Sequence, residues 1–480
     1  MSSYKNKLFL TYESNTQLLP FIRLLANQII HIIYIDLLKI HINKAYQEEK
    51  NYLISTLFGD YLGINYEIVF GEDKDYTITL GNQSITIGNH LFISEDVPYL
   101  TTDNVPSKVN FTDYQKLADN LPILYGTEKF DITDNSIFID SDIFAACFFM
   151  LTRWEEVIDK DKDAHNRSKA KNSVAFKAGF IERPIVDEFV DLIWECLVKL
   201  NYKGKRKKQE FEFIHTHDVD QIEKWSSAQA VAKTVAGDIL KRNSLQLAKA
   251  NLRQSKATFK GIINDPYDTF EELMDLSDKI GVKSHFFFLH EGTHELDNAY
   301  EWNHPLFLKA ISNIQERGHL IGLHPSYNSS INSHLLSKEK LALKRIIKEE
   351  PTIGRQHYLR FTVPETWQIW EDNEMLWDSS MYYSEQLGFR CGTCRDFPVF
   401  NVITRKQLSL RELPLSVMDS TFFEKIENGE TESVYSEIKS CIELIQKHKG
   451  KFVLLWHTNY LNLAVFERHK ALYLKVLDLL

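Results

Sequence analysis

The sequence predicts an α/β barrel in its C-terminal half, preceded by a smaller α+β domain. Two observations carry that reading. Beyond Phe211, strand-like runs recur at Phe211 to Thr216, Val282 to Leu289, His319 to His324, Gln356 to Phe361, Leu410 to Leu415 and Lys451 to His457, and helical or loop segments separate most of them. Three of these runs also lead into reactive side chains: Asp218 and Asp220 follow the first, His324 closes the third and His457 closes the last. Reactive residues at several strand ends are the pattern of parallel strands converging on one catalytic face.

The chain has 480 residues, which by length alone suggests at least two domains. Apolar residues at 44% and charged ones at 25% exclude wholesale disorder. The formal charge of −10 argues against a nucleic-acid partner, since backbone binding needs clustered Lys and Arg, and the one dense basic run, Lys203 and Lys205 to Lys208, is short. Five cysteines, Cys147, Cys196, Cys391, Cys394 and Cys441, are too few for a disulfide framework in so long a chain, and they predict a cytoplasmic protein. Cys391 and Cys394 form a CxxC with no second pair, so a structural pair of thiols is expected there rather than zinc.

Residues 1–47 carry no assigned element. Leu18 to Leu38 is rich in Leu and Ile, but Pro20, Arg23, Asn27, Gln28, His31 and Asp36 interrupt it. A central charge costs about 2.5 to 3.5 kcal/mol in a spanning helix, so no stable membrane span is expected. The texture changes near Lys39, and the first 37 or so residues are expected to stand apart from the working fold. Residues 48–200 read as the α+β domain. Leu53, Ile54, Leu57, Phe58, Tyr61 and Leu62 recur at helical spacing before Gly63, a C-cap glycine. Tyr66 to Phe70, Tyr76 to Leu80 and Ile85 to Ile87 read as small antiparallel strands. A further apolar segment runs from Ser141 to Trp154, with Arg153, Trp154 and Glu155 assigned to helix-surface packing. Pro184 opens a helix reaching about Leu200. Residues 201–210, NYKGKRKKQE, form a basic connector, and 211–480 form the barrel, with Ile222 to Ala257 as a polar helical insertion beside the site.

The stretch FEFIHTHDVD, Phe211 to Asp220, is the one around which the barrel is organised. An apolar strand there delivers two carboxylates two residues apart, which suits either one holding a cation while the other takes a proton from water, or a polar loop with an Asp capping a helix from Gln221 onward. His290 and His294 have helical metal-ligand spacing, but Gly292 between them predicts a loop.

These residues resemble the polysaccharide deacetylase family, the NodB-homology domain of carbohydrate esterases, over roughly residues 207 to 480. The resemblance implies a distorted (β/α)7 barrel. Thr216 to Asp220 match the family's first motif, which makes Asp218 the general base and Asp220 a metal ligand. Gly318 to His324, GHLIGLH, match the lead-in to the second motif, with His324 as a ligand. The family's next histidine is replaced by Asn328, whose neutral amide oxygen suits harder cations better than zinc. Arg360, in YLRF, looks like the arginine that orients the catalytic aspartate, and Arg355 lies close enough to compete for that role or to bind substrate. Leu454 to His457 resemble the last motif, with His457 as general acid.

The resemblance implies hydrolysis of a carbon–nitrogen bond other than a peptide: removal of an acetyl group from an acetylated sugar. A divalent metal, zinc or another transition metal, would be held by Asp220, His324 and Asn328. Tyr327, Trp367 and Trp456 are candidates to stack on sugar faces, with core packing as their alternative use. Two rival readings stand beside this one, a metal-independent amidohydrolase acting on a small cyclic amide and a glycan-binding protein without catalysis.

Overall fold

The computed structural model describes residues 37–289, 292, 294–297 and 300–480. The expectations placed on the first 37 or so residues fall almost wholly outside that range, as does His290 of the His290–His294 pair. No helix of the described residues is long and apolar enough to cross a membrane.

The N-terminal unit is built on a six-stranded sheet in the order β2-β1-β3-β4-β8-β7. Its strands are β1 (Leu38–Ile42), β2 (Tyr66–Phe70), β3 (Tyr76–Leu80), β4 (Gln83–Ile87), β7 (Phe130–Ile132) and β8 (Ser136–Ile139). A separate ribbon pairs β5 (Asn110–Thr112) with β6 (Leu121–Ile123). The strand β1 lies in the stretch left unassigned from sequence, yet its Leu38, Ile40 and Ile42 are buried. It pairs antiparallel with β3 but in parallel with β2, which was expected among antiparallel strands. The reason is the helix between them: Gln47–Ile54 continues as a π-helical stretch, Ser55–Leu62, ends at Gly63 with φ +68°, and crosses over the sheet as a parallel connection requires. The hairpin β3–β4 is antiparallel, as expected.

The helix Ile143–Thr152 is apolar on every side and wholly buried, so its residues face core all round. Asp142 caps it by accepting from the Ala145 amide (2.8 Å). Helix Ile185–Lys199 starts directly after Pro184, carries Asp187 and Glu188 in its first turn and Lys199 in its last, and buries its apolar face.

The C-terminal unit is a nine-stranded sheet in the order β14-β15-β13-β12-β11-β10-β9-β17-β16. Its members are β9 (Glu212–Val219), β10 (His285–Leu289), β11 (Leu320–His324), β12 (Ile353–Gly354), β13 (Trp377–Asp378), β14 (Phe397–Asn401), β15 (Lys406–Glu412), β16 (Val417–Met418) and β17 (Lys451–Leu455). All pairings are parallel except β14 with β15. The fold is thus mixed α/β with strand ends aligned on one side. Among the described residues no pairing joins β14 to β16, so the ladder does not trace the closed barrel expected from sequence. Three of its strands are only two residues long, too short to leave a hydrophobic pattern or an extended ladder. The strand expected at Gln356 to Phe361 is instead a turn, with Tyr358 at φ 61° and Leu359 at φ 48°. The insertion forms two helices, Ala228–Leu240 and Leu245–Phe259, capped by Ser227 and Ser244.

One apolar core runs through both units. Arg153 is wholly buried rather than on a helix surface, because it belongs to an ionic junction between the units. Its Nε donates to Glu156 Oε1 (2.9 Å) and its Nη2 to Glu155 and to Tyr383 Oη (3.0 Å). Arg390 completes the junction with two bonds to Glu156 (3.0 and 2.6 Å). Burial pushes the Glu156 carboxyl up, but Arg390 and Arg153 outweigh it and hold the group far below the usual carboxylate range. A second pair, Asp187 with Arg395 (2.5 Å), joins the units nearby in sequence. Removing one member of such a pair leaves a buried charge uncompensated. Glu156→Ala should therefore lower stability by about 3–5 kcal/mol in chemical denaturation; a loss below about 1 kcal/mol would show that the junction is not holding the units together.

Candidate active site

The strand β9 sorts its polar residues by face. With a period of two, His215 and His217 point one way and Thr216 and Asp218 the other. His215 bonds Ser277 Oγ and Tyr473 Oη (both 2.7 Å), and His217 bonds the Trp456 carbonyl (2.8 Å), all on the helix side. Burial pushes the pKa of His217 down to about 3 and that of His215 well below its ordinary value, so both are neutral packing groups. The opposite face carries Thr216 and Asp218, the candidate site residues of this strand.

Asp218 is buried and accepts from Arg355 Nη1 at its Oδ1 (2.8 Å). The pairing expected of Arg360 is therefore made by Arg355. That guanidinium, without solvent exposure, also donates to Thr216 Oγ1 (3.0 Å), the Ser379 carbonyl (2.8 Å) and Ser379 Oγ (3.1 Å). Gly354 allows this approach: a Cβ there would lie 2.0 Å from the Leu323 carbonyl oxygen, so any other residue would push β12 away from β11. Arg360 instead sits over the Tyr327 ring (4.3 Å) and donates to the Tyr327 carbonyl (2.8 Å), to Ser330 Oγ (3.2 Å) and to Asn328 Oδ1 (3.4 Å). It braces the loop after β11.

Asp220, His324 and His357 form the one group of three metal-ligand side chains among the described residues, their ligand atoms all within 4.8 Å of one another. Asp220 Oδ1 lies 3.3 Å from His324 Nε2 and 3.8 Å from His357 Nε2. Asn328, the third ligand expected from sequence, faces another partner. Its side-chain oxygen accepts from Arg360 (3.4 Å), and the side chain grouped with Asp220 and His324 is His357, which follows Arg355 by two residues. His357 was missed because the turn that carries it reads as a strand; a histidine two residues beyond a candidate arginine was the available signal.

The hydrogen bonds behind the histidines fix which nitrogen faces inward. His324 Nδ1 bonds the Arg355 carbonyl (2.6 Å), which only accepts, so Nδ1 carries the hydrogen. His357 Nδ1 bonds Asp297 Oδ1 (2.9 Å), which also accepts from the Tyr327 amide (2.8 Å). Both Nε2 atoms therefore face Asp220 Oδ1, and each carries the free lone pair when its ring is neutral. Burial lowers the His324 pKa but the Asp218 and Asp220 charges outweigh it, so the cluster calls for a positive charge, either a proton on that ring or a cation shared by the three groups. Two imidazole nitrogens and a carboxylate, each imidazole held from behind by a carbonyl or carboxylate, fit a divalent transition-metal ion such as zinc. Burial pushes the Asp220 carboxyl up, yet His324, His457 and His357 together hold it below its ordinary value.

His457 stands on the far side of Asp220, its Nε2 3.9 Å from Oδ2. Its Nδ1 bonds Asp419 Oδ1 and its amide donates to Asp419 Oδ2 (both 2.7 Å). Burial would lower its pKa, but the Asp419 charge raises it to about 10, so the ring is protonated at neutral pH. Asp419 was not recognised from sequence; it follows the two-residue β16, a strand too short to leave a pattern.

The expected aromatic platforms divide. Trp456 is buried, stacked on Tyr473 (4.6 Å), and Trp367 is buried with its Nε1 donating to Glu412 (3.0 Å). Both pack the core. Tyr327 is largely enclosed, stacked on His294 (4.3 Å) and bonded to His165 (3.2 Å). Half-buried rings near Asp220 are Tyr267, Tyr300, Tyr358 and Tyr460, whose pKa values rise chiefly through burial and further through nearby carboxylates, Asp220 among them and preceded by Asp265 for Tyr267 and Asp419 for Tyr460. Two clefts of about 850 and 730 Å3 meet at Lys224, Lys233, Thr234 and Tyr267, between the helical insertion and the site.

A sequence profile for a family of unknown function, DUF7033, matches residues 38–202. No curated protein matches the chain in sequence. Among solved structures, the chain is similar to a protein described as a polysaccharide deacetylase from Mycobacterium smegmatis (14% identity, 56% of this chain and 83% of that one, TM-score 0.36). It is also similar to PuuE allantoinase (12% identity, 57% and 85%, TM-score 0.35) and to a CE4 family pseudoenzyme from Bacillus anthracis (10% identity, 57% and 62%, TM-score 0.28).

The loop after His324 is anchored by Glu339, which accepts from the Ser326 amide (2.9 Å) and Ser326 Oγ (2.5 Å). Burial raises its pKa from 4.5 to about 7. The folded protein thus binds this proton more tightly than the unfolded chain does, and the stability it contributes is present below pH 4.5 and declines as pH rises through 7. Glu339→Gln should flatten the pH slope of unfolding free energy across that window, by on the order of 3 kcal/mol. Urea melts at pH 5 and pH 8 will check this, and an unchanged slope would remove Glu339 as its source.

Proposed function

We propose that the protein is a metal-assisted hydrolase of a carbon–nitrogen bond other than a peptide, acting as an N-deacetylase on an acetylated sugar. The observation that carries this reading is the buried convergence of Asp220, His324 and His357 beside the Asp218–Arg355 pair. Within it, Asp220, His324 and His357 hold the ion, which when bound supplies Lewis acidity toward a carbonyl oxygen and toward water.

The chain's own groups then have separable tasks. Asp218 Oδ1 is engaged by Arg355, which leaves Oδ2 to accept the proton of the attacking water; Arg355 fixes the direction in which that oxygen points. His457, protonated and oriented by Asp419, donates its Nε2 proton to the departing nitrogen, because an amine leaves poorly as an anion. The half-buried tyrosines around Asp220 offer apolar faces with polar tips, which suits a sugar ring.

Two measurements test the reading. Purified protein should carry near-stoichiometric transition metal; His357→Ala should lose most of it and Asn328→Ala should keep it. Asp218→Asn should retain metal and fold while acetate release from acetylated sugars falls about 100-fold or more, in keeping with the usual contribution of a general base. Equal metal loss in both ligand-test variants would return Asn328 to the site, and undiminished turnover in Asp218→Asn would remove Asp218 as the base.

A further inference from the structure

The turn that carries His357 is strained and is held from outside its own unit. Tyr358 and Leu359 both adopt left-handed backbone, φ 61° and 48°. Side-chain-bearing residues there cost about 1–3 kcal/mol each and persist only when their surroundings fix them. From the C-terminal unit the fixing comes from Asp297 on the His357 ring and from the Pro325 carbonyl on the His357 amide (3.2 Å). The Tyr358 carbonyl is held from the N-terminal unit, by Arg167 Nη1 (2.8 Å).

Arg167 is itself set in a closed loop. Its Nε donates to Asp163 Oδ2 (2.7 Å), while Asp163 Oδ1 accepts from the amides of His165 and Arg167 (both 2.8 Å). Lys162 and Ser168 close the base of the loop as a bridge. At its tip, His165 packs on Tyr358 (4.8 Å between rings) and bonds Tyr327 Oη (3.2 Å). The Tyr327 amide shares with His357 the same Asp297 oxygen. The loop therefore touches both flanks of one network. Joining the units does not require it, since the Glu156–Arg390 and Asp187–Arg395 pairs already do so.

We infer that the N-terminal unit is a positioning element of the active site: the Asp163–Arg167 loop holds the Tyr358 carbonyl and thereby aims His357 Nε2 at Asp220. This rests on the reading of His357 as a metal ligand, and it gives a role to part of the segment matched by the family of unknown function. Arg167 is a positioning residue and touches no reacting atom.

The test is metal binding by apoprotein, not turnover: Zn2+ titrated against a chromophoric chelator, and Co2+ followed by its visible absorption. Arg167→Ala should weaken Zn2+ binding 10- to 100-fold, the range for lost partners behind a ligand, and alter the Co2+ spectrum. Arg167→Lys, which still reaches the carbonyl but loses the fork to Asp163, should recover part of the affinity. Asp163→Asn should fall between wild type and Arg167→Ala, and serves as the test if Arg167→Ala does not fold. Circular dichroism should be unchanged in the folded variants. Wild-type affinity and spectrum in Arg167→Ala and Asp163→Asn, with His357→Ala weakened, would overturn the positioning role and leave the metal site standing. Absence of binding by the wild type would overturn both together.

Discussion

The buried Arg355 guanidinium is the contact on which the site depends. It ties three strands at their C-terminal ends, reaching Thr216 and Asp218 on β9 from its own place after β12 and taking Ser379 beyond β13. Its carbonyl receives His324 Nδ1, so the same residue holds both the Asp218 carboxylate and the orientation of the His324 ring. A wholly buried cation tolerates such a position only when its donors are matched, and here a carboxylate, two hydroxyls and a carbonyl match them. The close approach permitted by Gly354 is the backbone condition for that arrangement.

Around this centre the protein uses alternation to separate structure from chemistry. On β9 the histidines that look most reactive are packed neutral against Ser277, Tyr473 and Trp456, while Thr216 and Asp218 face the site. The same alternation after β17 sends Trp456 to the helix layer and His457 to Asp419. Each histidine facing Asp220 has a partner behind it: Asp297 for His357, the Arg355 carbonyl for His324, Asp419 for His457. Such partners set which nitrogen is free and where it points.

The two units are continuous in core and joined by buried ion pairs, so neither has an apolar face to itself. Against that fixed junction, a loop of the N-terminal unit reaches a strained turn of the other. Strain of this kind is common where a side chain must be presented in one orientation.

The sequence by itself determined the α/β character of residues 211–480, the N-terminal strands β2, β3 and β4, the helix after Pro184, and the strand ends bearing Asp218, Asp220, His324 and His457. These were legible because apolar periodicity and capping residues are local, and a reactive residue at the end of an apolar run stands out. Only the tertiary structure decided which arginine meets Asp218, that His357 lies beside Asp220 and His324 while Asn328 bonds Arg360, and that Asp297 and Asp419 stand behind the histidines. Those residues sit on turns or beside two-residue strands, where no period exists. Their partners lie tens to hundreds of residues away in the chain, so the choice between Arg355 and Arg360 was made by the approach of β12 to β11, a contact between backbones that leaves no mark in sequence beyond one glycine.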